Sequence, residues 1–330
     1  MLSKTIKVLK NNIRILKDIF RTTKKKKIQV IKEIIKYKKK YEINIEDYLS
    51  FQFYNMEEDQ IATFFTYQMN NKLIDKSNEK SKKYIFNDKE LFDIIFDDYL
   101  GREWISNKSI SYEEFAEFIE NKEFLFYKKV NGSRGIGAKR IDILAYNGDI
   151  ERLYNDIKAL DKGIVEEHIV AHKDINKICD TGLSTIRVVT LNQNGKCKIL
   201  HGVFMIINGD IVNCEVTGGG LSACINVHTG IVETDAVDVK RNFYETHPIS
   251  GEKIKGFQIP YWEEVVQLVN KIYDKVPGIN YVGWDIAITE DGPIVIEGNA
   301  SWPSHRIWQI PYLREKRGKK QEMKQKLAES

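Results

Sequence analysis

The segment Val282-Gly-Trp-Asp-Ile-Ala-Ile-Thr-Glu-Asp-Gly-Pro-Ile-Val-Ile-Glu-Gly-Asn constrains this chain more than any other. Two runs rich in β-branched and aromatic residues flank Asp291-Gly292-Pro293, a pattern that folds as an antiparallel hairpin. With the turn centred near residue 291, Asp285 and Glu297 are equidistant from it and should face each other. Strand alternation puts Asn299 on the face of Glu297. Two carboxylates brought together repel unless a cation lies between them, and with an amide oxygen beside them they suit Mg²⁺. Gly283 and Ala287, on the face of Asp285, leave room for something bulky. A solvated strand-end carboxylate would explain a single acid, but not three oxygen donors on one hairpin.

At 330 residues, 42% hydrophobic and 30% charged, the chain reads as globular, with two domains or one domain with lobes. Its net charge of +4 conceals an asymmetry. Residues 1–40 hold fifteen Lys and Arg against Asp18 and Glu33, so this arm carries +13 and the remainder −9. Within it Leu2, Ile6, Leu9, Ile13, Leu16 and Phe20 recur at spacings of four and three, the seam of an amphipathic helix. Lys24 to Lys27 interrupt the seam, and Val30, Ile31, Ile34 and Ile35 begin another. Two readings are open: helices packed on the body with lysines outward, or an arm lying on an anionic membrane surface or an acidic polymer. No nucleic-acid-binding motif accompanies the charge, so nucleic acid is not expected. Basic residues break each apolar stretch of the arm, excluding a signal-peptide core and a membrane-spanning helix. Cys179, Cys197, Cys214 and Cys224 show no metal or disulfide spacing and read as reduced, packed thiols of a cytoplasmic protein.

Along the chain, residues 1–75 read as helical and Asp75 to Lys83 as a polar linker. Leu91, Phe92, Ile95, Phe96 and Tyr99 make one apolar helix face. Phe124 to Lys129 and Lys139 to Ala145 read as strands around a glycine-rich turn. Further strands are expected at Thr185–Leu191, Cys197–Ile207, Tyr281–Ile288 and Ile294–Glu297. A helix over Trp262–Tyr273 follows Pro260 and ends before Pro277-Gly278. The tail after Tyr312 should be frayed or helical at the surface.

Four further segments can carry chemistry. Lys128-Lys-Val-Asn-Gly-Ser-Arg-Gly-Ile-Gly137 places Gly132, Ser133, Gly135 and Gly137 after two lysines; its backbone N–H groups could cradle phosphate, with a plain hairpin turn as the alternative. It is neither a P-loop nor a dinucleotide fingerprint. Ile164-Val-Glu-Glu-His-Ile could run past a base, the backbone around Glu166 bonding adenine and Glu167 or His172 reaching a ribose. Arg187, in Ser184-Thr-Ile-Arg, could contact a transferring phosphoryl group bidentately or simply pair with an acid. Thr217-Gly218-Gly219-Gly220 is a second anion-friendly loop, or a tight turn.

In this order the motifs resemble the ATP-grasp superfamily, and more narrowly its sugar-transfer-associated branch, over roughly residues 85–310. The resemblance rests on Tyr127-Lys-Lys-Val-Asn-Gly-Ser-Arg-Gly-Ile-Gly, Ser184-Thr-Ile-Arg-Val-Val-Thr, Val227-His-Thr-Gly, His247-Pro-Ile-Ser-Gly, Gly256-Phe-Gln-Ile-Pro-Tyr-Trp-Glu and, most specifically, Gly283-Trp-Asp through Glu297-Gly-Asn. Lys129 stands where a proline is usual, and Asn213-Cys214 where Asp-Asn is common. The resemblance implies an α+β fold with two antiparallel lobes enclosing ATP, over 76–175 and 176–312, between a helical basic region at 1–75 and a charged tail at 313–330. It implies ATP and one or two Mg²⁺, the metal on Asp285, Glu297 and Asn299. Lys128, with Lys129 beside it, and the glycine loop would hold phosphates, and Arg187 would steady the transferring group. Thr217 to Gly220, Trp302, Ser304 and His305 would face the acceptor. The implied activity is amide formation through an acylphosphate, joining an amino acid or amine to a sugar carboxylate in bacterial surface-polysaccharide biosynthesis by family context. Alternatives are a phosphotransferase acting on a hydroxyl, or a non-catalytic ATP-binding accessory that docks a glycosyltransferase, with residues 1–40 at the inner face of the membrane.

Overall fold

The structure is a computed structural model that describes residues 2–132, 137–209 and 219–329. It divides into two compact units, residues 2–76 with 304–329, and residues 77–303.

The first unit is helical, with α1 (Leu2–Thr22), α2 (Lys27–Tyr41), α3 (Ile45–Ser50), α4 (Glu58–Ile61) and α5 (Tyr67–Ser77). Helix α1 does not pack through its most regular apolar seam. Ile15 and Ile19 turn inward, whereas Ile6, Leu9 and Ile13 stand 47%, 59% and 45% exposed. Helix α2 behaves alike, burying Val30 and Tyr37 and exposing Ile28, Ile31 and Ile35. The core is aromatic, with the rings of Phe51, Phe53 and Phe64 within 4.8–5.5 Å of one another. The charged tail is helical over Lys320–Ala328 and is anchored by buried Met323.

The second unit carries both sheets. Helix α6 (Lys89–Phe96) precedes β1 (Trp104–Ser106), α7 (Tyr112–Phe118), β2 (Phe124–Lys129), β3 (Lys139–Asp142), α8 (Ile150–Ala159) and β4 (Gly163–Glu167). These strands form an antiparallel sheet in the order β1-β4-β2-β3. Its core combines Phe115 and Phe118 of α7, Leu153 and Ile157 of α8, and Leu125, Tyr127 and Val165 of the strands.

After α9 (Lys173–Ile178), the strands β5 (Thr185–Gln193), β6 (Lys196–Ile206), β7 (Leu221–Ile225), β8 (Ala236–Val237) and β9 (Phe243–Tyr244) follow; α10 (Trp262–Ile272), β10 (Tyr281–Thr289) and β11 (Gly292–Asn299) complete the second sheet. Its order is β11-β10-β5-β6-β7-β8-β9. The apolar face of α10, Trp262, Val265, Val269 and Ile272, packs in one core with Val282, Trp284, Ile286 and Ile288 of β10. Each such side chain contributes about 1.5–3 kcal/mol when fully buried. Helix α6 touches both β4 and β11 and so joins the two sheets.

The expected linker is structured instead. Ser77 ends α5, a 3₁₀ turn spans Lys80–Phe86, and Asn78 is buried between them. Its amide nitrogen donates to Tyr281 O and Ala300 O at 2.7 and 2.9 Å, while its oxygen accepts from Asn280 N and Tyr281 N at 2.9 and 2.8 Å. That uses the full capacity of one amide side chain, which is why a polar residue can be buried there.

Candidate active site

Hairpin β10–β11 sets Asp285 directly opposite Glu297, but not by simple counting from the turn. Thr289 pairs with Gly292, Ala287 with Ile294 and Ile286 with Val295. Continued unchanged, that register would place Glu297 against Trp284, on the face that carries the core. A bulge between the Ile286 and Asp285 pairs absorbs Ile296 as one extra residue and turns Glu297 to the other face, with Asn299 two residues on. Arg102 braces the bulge, its Nη1 donating to Val295 O at 2.7 Å and its Nη2 reaching Ile296 O at 3.5 Å.

Each carboxylate already has a cation. Arg187, paired with Asp285 across β5–β10, grips it bidentately, Nε to Oδ1 and Nη2 to Oδ2 at 2.7 Å. Lys89 Nζ lies 3.3 Å from Glu297 Oε2, and Asn299 Nδ2 donates to Glu297 at 3.3 Å and to Asp285 at 3.4 Å. Burial, with the charge of Glu297 adding to it, raises the Asp285 carboxyl to about 6 despite Arg187. Crowding by protein atoms also opposes charge on Glu297, but Lys89, Arg187 and Lys128 together hold it down to about 2. The expected room beside Asp285 is taken: a Cβ on Gly283 would meet Pro303 O at 2.8 Å and Arg187 Cδ at 3.1 Å.

Beside the hairpin lies a narrow cleft, partly open to solvent and lined by Lys89, Asp93, Lys128, Glu166, Ile296 and Glu297 among others. Its floor is a second ionic cluster. Arg102, with no exposed side-chain surface, donates to Glu166 Oε1 from Nε at 2.9 Å and from Nη2 at 2.5 Å. Lys128 Nζ sits 2.5 Å from the other oxygen of Glu166. Burial would raise the Glu166 carboxyl, but Arg102 and then Lys128 keep it below the usual carboxylate range. Asp93 lies 3.9 Å from Arg102 Nη2, and its Oδ2 finds no hydrogen-bond partner among the described residues. Burial and then the charge of Glu166 push it up to about 7.

Strand alternation separates the two candidate lysines. Lys128 points into the cleft, whereas Lys129 is half-exposed and pairs with Asp161 at 2.6 Å. Gly132 and Gly137 flank residues 133–136, so Ser133 and Gly135 lie outside the described residues. The backbone through Glu166 and Glu167 is committed to the sheet, since β4 pairs with β1 and β2 on its two sides. Of the expected segment, the stretch beyond Glu167 leaves the ladder. Glu167 itself is partly exposed. His172 is buried and caps α9, Nδ1 accepting from Asp174 N at 3.1 Å.

Thr217 and Gly218 fall outside the described residues; Gly219, at φ +106°, and buried Gly220 lead into β7. Trp302 is 58% exposed in the second unit. Ser304 and His305 belong to the first unit. Burial lowers the His305 pKa, and its Nε2 lies 2.8 Å from Asp47, a fully buried acid that also accepts from Tyr67 N, which gives His305 a structural role within the first unit. His247 has a similar role, with its Nε2 2.8 Å from Ile207 O.

Lys89, Asp93 and Arg102 escaped sequence reasoning. A signal existed for Asp93, an acid four residues after Lys89 within an apolar helical run, on the side of α6 that buries Phe92 and Phe96. Among the described residues, no cluster of three or more His, Cys, Asp and Glu could hold a metal. The hairpin offers two carboxylates and an amide instead, oxygen donors of the hard kind that Mg²⁺ takes. Asn299 within hydrogen-bond reach of both acids shows that the three side chains converge.

No curated protein matches the sequence. Solved structures that resemble it include the ATP-grasp ligase PsnB complexed with a minimal precursor, Mg and ADP, at 15% identity over 68% of this chain and 53% of that one, TM-score 0.40. D-alanyl-alanine synthetase A from Vibrio cholerae matches at 11% over 74% and 64%, TM-score 0.43. N5-carboxyaminoimidazole synthetase from Staphylococcus aureus, complexed with ADP, matches at 12% over 71% and 50%, TM-score 0.42. This chain thus spans 50–64% of the length of those proteins. The family described as sugar-transfer-associated ATP-grasp matches residues 68–325, reaching beyond both ends of the motif-bearing stretch. With that match over most of its length and its α+β architecture of two antiparallel sheets, the chain belongs to the sugar-transfer-associated ATP-grasp family.

Proposed function

We propose that this chain is an ATP-dependent ligase that joins a carboxylate, borne by a sugar-linked substrate, to an amine in the cytoplasm. The observation that carries the reading is the convergence of Asp285, Glu297 and Asn299 at the edge of a cleft supplied with Lys89 and Lys128. Bound at the hairpin, one or two Mg²⁺ would neutralise phosphate charge and favour in-line displacement. Lys89 and Lys128 now neutralise Glu297 and Glu166; phosphate oxygens would compete for the same ammonium groups, and Lys128 would steady the β/γ-phosphates beside the glycine loop. Arg187 holds Asp285 in place and presents a guanidinium at the site for the transferring group. Thr217 to Gly220 and Trp302 remain the acceptor-side candidates.

The substrate carboxylate oxygen forms a bond to the γ-phosphorus while the β–γ bridging bond breaks, releasing ADP and leaving an acylphosphate. The amine nitrogen then attacks the acyl carbon, phosphate departs with the electron pair, and the ammonium proton passes to water. Such chemistry needs positioned charge more than a side-chain nucleophile. Incubation with Mg-ATP, sugar acids and a pool of amines, followed by mass spectrometry, tests the reading. An amide with one free phosphate per ADP supports it, whereas a phosphorylated acceptor without phosphate release identifies a phosphotransferase and overturns it.

A further inference from the structure

The arm at the start of the chain presents a surface that the nucleotide site does not use. A helix turns roughly 100° per residue, which fixes the sectors of α1. Measured from the buried side defined by Ile15 and Ile19, Ile6, Leu9 and Ile13 lie roughly 100–160° away. Continuing in the same sense, Lys10, Arg14, Lys17 and Arg21 lie roughly 180–240° away, all exposed. The order is therefore packed face, bare apolar seam, basic ridge. Helix α2 repeats it with Ile31 and Ile35, then Lys32 and Lys39.

An apolar seam left in water needs a partner. The adjoining ridge states its sign: the partner is anionic and offers an apolar layer beneath its charges. A second copy of this chain fits poorly, because pairing two arms of +13 sets like charges together. A soluble polyanion would satisfy the ridge and leave the seam bare. No described helix is long and apolar enough to cross a membrane, so the contact is lateral.

We propose that α1 and α2 form an interfacial platform that beds Ile6, Leu9 and Ile13 into an anionic phospholipid surface while Lys10, Arg14 and Lys17 lie against its headgroups. This platform keeps the enzyme at a membrane surface. Binding requires both sectors, and neither overlaps the side chains that hold the first unit together.

The test is sedimentation of the full chain with phosphatidylcholine vesicles that contain or lack phosphatidylglycerol. The wild type sediments with the anionic vesicles alone. The seam variant Ile6→Ser/Leu9→Ser/Ile13→Ser, with every charge intact, binds at least about tenfold more weakly at an unchanged melting temperature. The ridge variant Lys10→Glu/Arg14→Glu/Lys17→Glu loses binding as well, and its exposed positions give a second route should the first variant fold poorly. Anionic-vesicle binding by the seam variant equal to the wild type overturns the proposal, as does a wild type that ignores vesicles. A wild-type dimer that the seam variant converts to monomer, without vesicle binding, identifies a second copy as the partner and also overturns it.

Discussion

The hairpin cluster and the β4 cluster both bury carboxylates beside cations, and they differ in how the cations are anchored. On the hairpin, Glu297 is 40% exposed and meets Lys89 at 3.3 Å, an ammonium on a flexible stem. At β4, Glu166 is gripped by a guanidinium that also holds the carbonyls of Leu100 and Val295. The first pair can exchange its cation for another at small cost; the second cannot, because removing Arg102 strands a buried acid and two backbone acceptors. One cleft thus combines a replaceable charge with a fixed one, and Lys128 sits between them.

The sharpest way to break that contrast is to neutralise the hairpin. Asp285→Asn with Glu297→Gln is expected to lower ATP turnover by about 10³-fold or more, with the melting temperature falling by several degrees because buried Arg187 loses its charged partner. Turnover within a factor of two of wild type would remove the hairpin from the chemistry. Next in size, Arg102→Met should destabilise by about 3–5 kcal/mol, a fall in melting temperature of roughly 10 °C for a unit of this size; an unchanged melt would show that β4 is not the fixed partner. Lys128→Ala should raise the KM for ATP about tenfold or more, against less than about twofold for Lys129→Ala. Reversal of that order would exchange the roles of the two lysines.

The smallest effect is one of pH. In the folded chain Asp93 holds its proton up to about 7, because of burial and the neighbouring Glu166, whereas an unfolded Asp releases it near about 3.9. Between those values the folded state binds more protons, so this carboxyl makes the protein less stable as pH rises. Asp93→Asn, which stays neutral, should melt like the wild type at about pH 4 and higher than it at about pH 8. A difference that does not grow with pH would show that Asp93 is already ionised in the fold.

Much of this site was legible because strands alternate with period two and turns have compositional marks, which exposed Asp285, Glu297 and Asn299. The bulge was not legible: Ile296 is an ordinary strand residue, and its extra position is stabilised by Arg102, nearly two hundred residues away in sequence. Sequence distance also hid Lys89 and Arg102, whose acidic partners lie 208 residues away on β11 and 64 residues away on β4. Asn78 was hidden differently, since a polar stretch looks like a linker until its hydrogen-bond partners are known. For the arm, periodicity fixed the existence of an apolar seam but not the side that packs, because Ile15 and Ile19 offered α1 a second apolar face.

The bulge at Ile296 makes the hairpin behave like a vernier, two scales offset by one division so that distant marks align. Ironing the bulge out with Ile296 still in the chain would leave Ile286 and Val295 paired, yet slide Glu297 opposite Trp284 and onto the core face. A one-residue offset in the ladder, rather than the composition of either strand, therefore sets which face carries the second carboxylate.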